Sequence, residues 1–239
     1  MNGSVPRAEV GDGTPAVEGD AAVDPGHLRY VVVEGPIGAG KTSLARRLAG
    51  SFASELILEQ ADDNPFLERF YRDPRNTALP TQLYFLLQRA RQIEEINSGG
   101  MFAPVRVADF LLEKDRLFAE LNLDAQELDL YQQVADTLAL DPPTPDLVVY
   151  LQAPSSVLMR RVRQRGHRYE QPLDEDYLER LGEAYTRFFY GYDAAPLLIV
   201  NAASIDPIHR DSDYRELLKT ILSVRRGRHF FNPAAGSIV

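Results

Sequence analysis

The chain has 239 residues and a mass of 26.8 kDa, enough for one well-cored α/β domain with an extension. A net charge of −9 and a pI near 5.0 argue against a nucleic-acid-binding surface, while leaving room for a local basic cleft. Cysteine is absent, which excludes disulfides, thiolate metal sites and a cysteine nucleophile, and no apolar run approaches the roughly 20 residues of a membrane helix.

The segment Met1–His27 carries Glu9, Asp12, Glu18, Asp20 and Asp24 against Arg7 alone, in a background of Gly, Ala and Pro. It has neither the charged-then-apolar layout of a secretion signal nor the sign of an organelle transit peptide. The expectation is an acidic disordered tail over 1–28, a single domain over 29–225, a C-terminal tail over 226–239, and a soluble cytoplasmic protein.

The apolar run Tyr30-Val31-Val32-Val33 predicts a first strand over 29–34. Directly after it stands Gly35-Pro36-Ile37-Gly38-Ala39-Gly40-Lys41-Thr42, which fits G-x-x-x-x-G-K-[ST] between a strand and a helix. Its glycines let successive backbone N–H groups turn inward onto phosphate oxygens. Lys41 brings a charge to the β- and γ-phosphates, the Thr42 hydroxyl takes a Mg²⁺ position, and the helix beginning at Lys41 aims its positive end at the same anion. Gly35, Ile37, Gly38, Ala39, Gly40, Lys41, Thr42 and Ser43 are the candidate ATP-binding residues, with Mg²⁺ as companion ion.

Leu44, Leu48 and Phe52 then repeat at helical spacing, and a second strand is predicted over 55–59. It ends in Glu59, and ligands of open parallel sheets sit beyond strand carboxyl ends, so this carboxylate faces the phosphate loop. There it can take a proton from an attacking hydroxyl. Pro80 and Thr81 open a helix marked by Leu83, Leu86, Leu87, Ala90 and Ile93, with Gln82 and Arg89 on one face. A Gln amide suits a nucleobase edge, and Phe66, Phe70, Tyr84 and Phe85 are candidate walls for a stacked base.

A third strand over 104–108 ends in Asp109, a carboxylate placed to hold Mg²⁺ and to lie near the transferring phosphate. Asp124 is expected to cap a helix to about Leu140, ended by Pro142, Pro143 and Pro145 ahead of a strand over 146–151. Arg160-Arg161-Val-Arg163-Gln-Arg165-Gly-His-Arg168 concentrates five arginines in nine residues, the composition of a lid that folds over triphosphate. Asp174 caps a further helix to about Tyr192, followed by a strand over 197–201 and a helix over 211–224.

These residues resemble the deoxynucleoside kinase family, particularly its bacterial deoxyadenosine/deoxyguanosine kinase branch. The resemblance rests on Val33-Glu34-Gly35 through Ser43, on Glu59, on Asn64-Pro65-Phe66-Leu67-Glu68-Arg69-Phe70-Tyr71, on Gln82 with Arg89, and on Arg161 through Glu170. It implies a P-loop kinase three-layer sandwich, with a five-stranded parallel sheet flanked by helices, and an arginine-rich lid. It also implies transfer of the ATP γ-phosphoryl to the 5′-hydroxyl of a deoxynucleoside in nucleotide salvage. Glu59 would be the general base, Tyr71 and Glu170 would hold the sugar 3′-hydroxyl, Gln82 and Arg89 would read the base, and Arg161 and Arg165 would clamp the phosphates. A homodimer is implied as well, although the helix near 80–97 serves equally to face the core.

The family places an acid followed by Arg and a small residue after its third strand, whereas Asp109 is followed by Phe110-Leu111-Leu112-Glu113-Lys114-Asp115-Arg116. The expectation is that Asp109 supplies the carboxylate with a one-residue offset and that Lys114 or Arg116 supplies the cation if the chain bends. By counting, Lys114 falls near the spot where the family puts an Asp beside the base-reading Arg. A nucleoside monophosphate kinase, with Arg69 and Arg72 on the phosphate its acceptor already carries, is the alternative enzyme, and a nucleotide-binding regulator is the alternative outside catalysis.

Overall fold

The computed structural model describes residues 22–98 and 104–233. Its centre is a parallel sheet of β1 (Tyr30–Glu34), β2 (Glu55–Ile57), β3 (Arg106–Ala108), β4 (Leu147–Gln152), β5 (Leu197–Asn201) and β6 (Arg228–Phe231), in the order β2-β3-β1-β4-β5-β6. β1 pairs on one side with β3 (Val31 opposite Val107) and on the other with β4 (Val33 opposite Val149). The strand order therefore diverges at β1, which opens a crevice beyond the carboxyl ends of β1 and β3. Val31, Val32 and Val33 and the β4 run Leu147–Leu151 are all buried, as expected of strands covered on both faces.

The sheet has six strands where five were expected. β6 lies inside the stretch read as a C-terminal tail, and its register (Leu198 opposite His229, Val200 opposite Phe231) extends the sheet beyond β5. Its alternation is masked by Arg228 and His229, and only Phe231 of this strand is buried. At the other end, Leu28 belongs to the core and the Val23 N–H donates to the Ser51 carbonyl at 2.7 Å, so the last residues of the acidic segment pack onto the domain.

Eight helices flank the sheet among the described residues: α1 (Lys41–Phe52), α2 (Leu67–Arg72), α3 (Pro74–Ser98), α4 (Glu113–Asn122), α5 (Ala125–Leu138), α6 (Ser155–Arg165), α7 (Glu175–Gly191) and α8 (Asp211–Ser223). The two Asp caps are present. Asp124 forms a capping box with Glu127, and the Asp174 carboxylate accepts from the Tyr177 N–H. Leu44, Leu48 and Phe52 of α1 face the core, and on the α7 side Phe189 stacks on Tyr150 of β4 with ring centroids 4.2 Å apart.

Pro80 does not open a helix but lies within α3, which begins at Pro74. Proline removes one backbone donor. The first turns are supported instead by hydroxyls, with Thr77 donating to the Asp73 carbonyl and Thr81 to the Thr77 carbonyl, both at 2.6 Å. α4 was not foreseen at all, and it carries two residues of the site.

Candidate active site

The loop after β1 meets the conditions for phosphate binding. Gly35 and Gly38 have φ of 152° and 83°. A Cβ on Gly35 would lie 2.5 Å from the Leu151 carbonyl oxygen, and one on Gly38 would lie 2.7 Å from that of Leu158, so β4 and α6 leave room for hydrogen only. No side chain caps α1 at Gly40, and its first-turn N–H groups stay available to an anion. Lys41 Nζ donates to the carbonyls of Gly35 (2.8 Å) and Pro36 (3.3 Å), which folds it back over the loop. Burial, and next the charge of Lys114, push its ammonium down to about 8 against the pull of Glu34, Glu59 and Asp109.

Asp109, immediately after β3, ties this loop to the end of β2. Its Oδ2 accepts from the Thr42 hydroxyl at 2.5 Å and its Oδ1 from the Glu59 N–H at 2.7 Å. The acid thus stands at the strand end itself and pairs with the phosphate-loop threonine. Thr42 and Asp109 offer one hydroxyl and one carboxylate side by side, and no group of three or more acidic or imidazole side chains suited to a metal occurs among the described residues. That sparse set fits Mg²⁺, which takes one or two protein oxygens and completes its octahedron with phosphate and water.

Glu59 sits two residues beyond β2, its carboxylate held between two cations. Arg89 Nη2 donates to its Oε1 at 2.7 Å and Lys114 Nζ to its Oε2 at 2.5 Å. Burial alone would raise this carboxyl, but Lys114 and Arg89 outweigh it and hold the group well below the ordinary range. Arg89 comes from α3 and is 1% exposed. It also donates to both oxygens of Asp115 and to Gln92 Oε1, and its guanidinium lies 3.9 Å from the Phe110 ring centroid.

The partner of Arg89 is therefore Asp115, one residue past the position that counting assigns to Lys114. Lys114 points at Glu59 instead, while Arg116 is largely exposed and pairs with Glu120. Phe110, in the place of the expected arginine, is buried under Arg89. Of the two cations expected to compensate, Lys114 is the one that reaches the site, whereas Asp115 was missed because counting without a gap puts the partner of Arg89 one residue earlier.

Glu34 was quoted only as part of the motif, yet it is 1% exposed and accepts three hydrogen bonds. They come from the Gly35 N–H (2.8 Å), the Leu111 N–H (2.8 Å) and the Tyr185 hydroxyl (2.9 Å). Burial raises its carboxyl, with Lys114 and Lys41 pulling the other way. This one side chain joins the phosphate loop, the segment after β3, and α7.

On the nucleoside side, Gln82 is 3% exposed and its amide has no side-chain hydrogen bond among the described residues. Tyr71 stacks on Tyr169 with centroids 6.4 Å apart and planes 10° off parallel. Its hydroxyl is raised well above its usual value by burial first, then by the charges of Tyr177, Glu170, Tyr169 and Glu59. Phe66 and Tyr84 meet edge to face, whereas Phe70 is spent on packing with Leu67 and Ala78. Arg69 and Arg72 are exposed, one over the Phe66 ring and the other paired with Glu68, so neither joins the cluster at Glu59.

The arginine-rich segment spans the end of α6 and the turn after it. Arg161 donates to the carbonyls of Ala39 (3.3 Å) and Ala202 (2.7 Å), which fastens α6 to the phosphate loop. Arg165 pairs with the buried Glu170, so the residue expected on the phosphates and the one expected on the sugar hold each other.

The deoxynucleoside kinase family profile matches residues 31–224. A deoxyguanosine kinase of Bacillus subtilis is 34% identical over 158 residues, 65% of this chain and 76% of the relative. A deoxyguanosine kinase of Lactobacillus johnsonii is 30% identical over 210 residues, 82% and 92% of the two chains. Among solved structures, the deoxyadenosine kinase of M. mycoides with bound dATP superposes with a TM-score of 0.70 at 23% identity, over 81% of this chain and 100% of that one. With an intact phosphate loop, an acid across the crevice and a profile match over most of its length, the chain belongs to the deoxynucleoside kinase family.

Proposed function

We propose that this protein transfers the γ-phosphoryl group of ATP to the 5′-hydroxyl of a deoxynucleoside, with Glu59 as the general base. The observation that carries the reading is the Glu59 carboxylate, tied through its own N–H to Asp109 and so to Thr42 of the phosphate loop. As the 5′-oxygen forms its bond to the γ-phosphorus, the bond to the β,γ-bridging oxygen breaks, ADP leaves, and the hydroxyl proton passes to Glu59. Lys114 and Arg89 keep Glu59 ionised, hence able to accept from the hydroxyl when it arrives. A carboxylate so stabilised is a weak base, which suits a loose transition state in which the attacking oxygen keeps its proton until late.

The remaining roles follow the same geometry. Gln82 has an unspent amide for the base edge, beside Arg89. Tyr71 and Glu170 serve the sugar 3′-hydroxyl, and Arg161 and Arg165 serve the phosphates once ligand competes for their present partners. Thr42 and Asp109 would hold Mg²⁺, which when bound offsets charge on the β- and γ-oxygens. A homodimer belongs to this reading, supported by the exposed Leu87 and Leu130 on the neighbouring helices α3 and α5. So does a cytoplasmic location, where ATP is supplied; no described helix is long and apolar enough to cross a membrane.

The test is incubation of purified protein with Mg²⁺-ATP and each deoxynucleoside, purines first because the relatives are named for them. Formation of a 5′-monophosphate with stoichiometric ADP is expected. Tight ATP binding with no transfer to any nucleoside would favour a regulator, and transfer to a monophosphate alone would favour the monophosphate kinase.

A further inference from the structure

Resting on the phosphoryl-transfer reading, we infer that Lys114 is a catalytic residue whose ammonium contacts the transferring γ-phosphoryl group. Three observations converge on it. Lys114 is 7% exposed, and its hydrogen-bond partner among the described residues is Glu59 Oε2 alone, at 2.5 Å. An ammonium carries three donors, so two remain over in a buried position where an unused donor is costly. Finally, the group lies on the inner side of the cleft. Its partner Glu59 is held through the backbone N–H by Asp109, which in turn accepts from Thr42 of the phosphate loop.

The other buried or half-buried cations are spent. Arg89 gives its donors to Asp115, Gln92 and Glu59 and lies flat on Phe110. Arg161 is committed to two backbone carbonyls and Arg165 to Glu170. Arg116 points outward to Glu120. Arg161 and Arg165 must therefore give up their present partners before they can reach a phosphate, whereas Lys114 has two donors in reserve as it stands. Lys41 approaches from the loop itself, and Lys114 from the side of the attacking oxygen.

The shared carboxylate supports the second placement. A hydroxyl bonded to Glu59 stands about 3 Å from the carboxylate, and a near-attack oxygen stands about 3–3.5 Å from phosphorus. Lys114 shares that carboxylate with the hydroxyl and so stands on the side from which the 5′-oxygen attacks, with two spare donors to offer an equatorial γ-oxygen. In a loose transition state negative charge is spread over those three oxygens, and a fixed ammonium in a site of low dielectric holds the phosphoryl group in line as it transfers. No bond to Lys114 forms or breaks; its part is charge stabilisation.

The experiment compares wild type, K114M, K114R, E59Q and the double variant E59Q/K114M by steady-state kinetics, ATP titration and thermal melting. K114M is expected to lose about 10³-fold in kcat, with ATP affinity within about fivefold of wild type, and K114R to recover most of the loss. If Lys114 acts only by holding Glu59, K114M will have no further effect in the E59Q background; a further loss of tenfold or more there marks direct action on the phosphoryl group. Should K114M fail to fold, K114Q replaces it under the same criteria. A K114M kcat within fivefold of wild type, or no added loss in the double variant, overturns the inference. Inactivity of the wild type toward every deoxynucleoside would instead overturn the reading beneath it.

Discussion

Replacing Glu59 by Gln removes the anion between Arg89 and Lys114 while preserving shape and one carbonyl acceptor. Arg89 keeps both oxygens of Asp115, so it loses one bond of several. Lys114 loses its charged partner and retains at most a neutral one. Hydrogen bonds to charged groups contribute about 1.5–3 kcal/mol, and with the carbonyl retained the variant should lose about 2 kcal/mol of stability. For a domain of this size that lowers Tm by about 4–8 °C, read by differential scanning fluorimetry. Against a total of about 5–15 kcal/mol, such a loss leaves nearly all molecules folded. Turnover should nevertheless fall by about 10²- to 10⁴-fold, the usual contribution of a general base. ATP affinity, measured by calorimetry, should hold or rise, since a negative charge facing the γ-phosphate has gone. A folded E59Q protein with kcat within about fivefold of wild type would refute the role given to Glu59.

Further tests follow from neighbouring groups. Because the free Lys41 ammonium is pushed down to about 8, it is charged below that pH and neutral above it, and a bound triphosphate favours the charged form. ATP affinity should weaken as pH rises above 8, with net proton uptake on binding visible by calorimetry in two buffers; constant affinity to ~pH 9.5 without uptake would refute this. Gly38→Ala puts a Cβ 2.7 Å from the Leu158 carbonyl oxygen at a φ of +83°. It should weaken ATP binding tenfold or more and lower Tm by several degrees, and unchanged titrations would refute the close packing. Asp115→Asn strips the buried Arg89 of its bidentate partner and should cost about 3 kcal/mol, because Glu59 remains to hold part of the charge. A urea-unfolding difference below about 1 kcal/mol would contradict that account.

Local patterns were legible before any coordinates. The phosphate loop spans a few residues whose types answer to one anion, and Glu59 and Asp109 follow from the rule that strand carboxyl ends face the ligand. The parts that escaped depend on contacts between distant segments. Asp115 looks like a surface charge until α3 lays Arg89 beside it, 26 residues away in sequence. Pro80 sits within α3 rather than at its start, because the helix already begins at Pro74 and packs on α2 and α4. β6 carries too few buried side chains to announce itself, and the pairing that defines it is with β5.

The three bonds accepted by Glu34 have a mechanical consequence. They staple the turn after β1 to the run after β3 and to Tyr185 of α7, so those walls of the cleft must travel as one rigid block. Any opening that admits a nucleoside then falls to α2 and the arginine-bearing turn, which Glu34 does not hold, since Arg89 also ties α3 to Glu59 and Asp115. Substitutions that bind those pieces to the block would slow product escape without touching the chemistry.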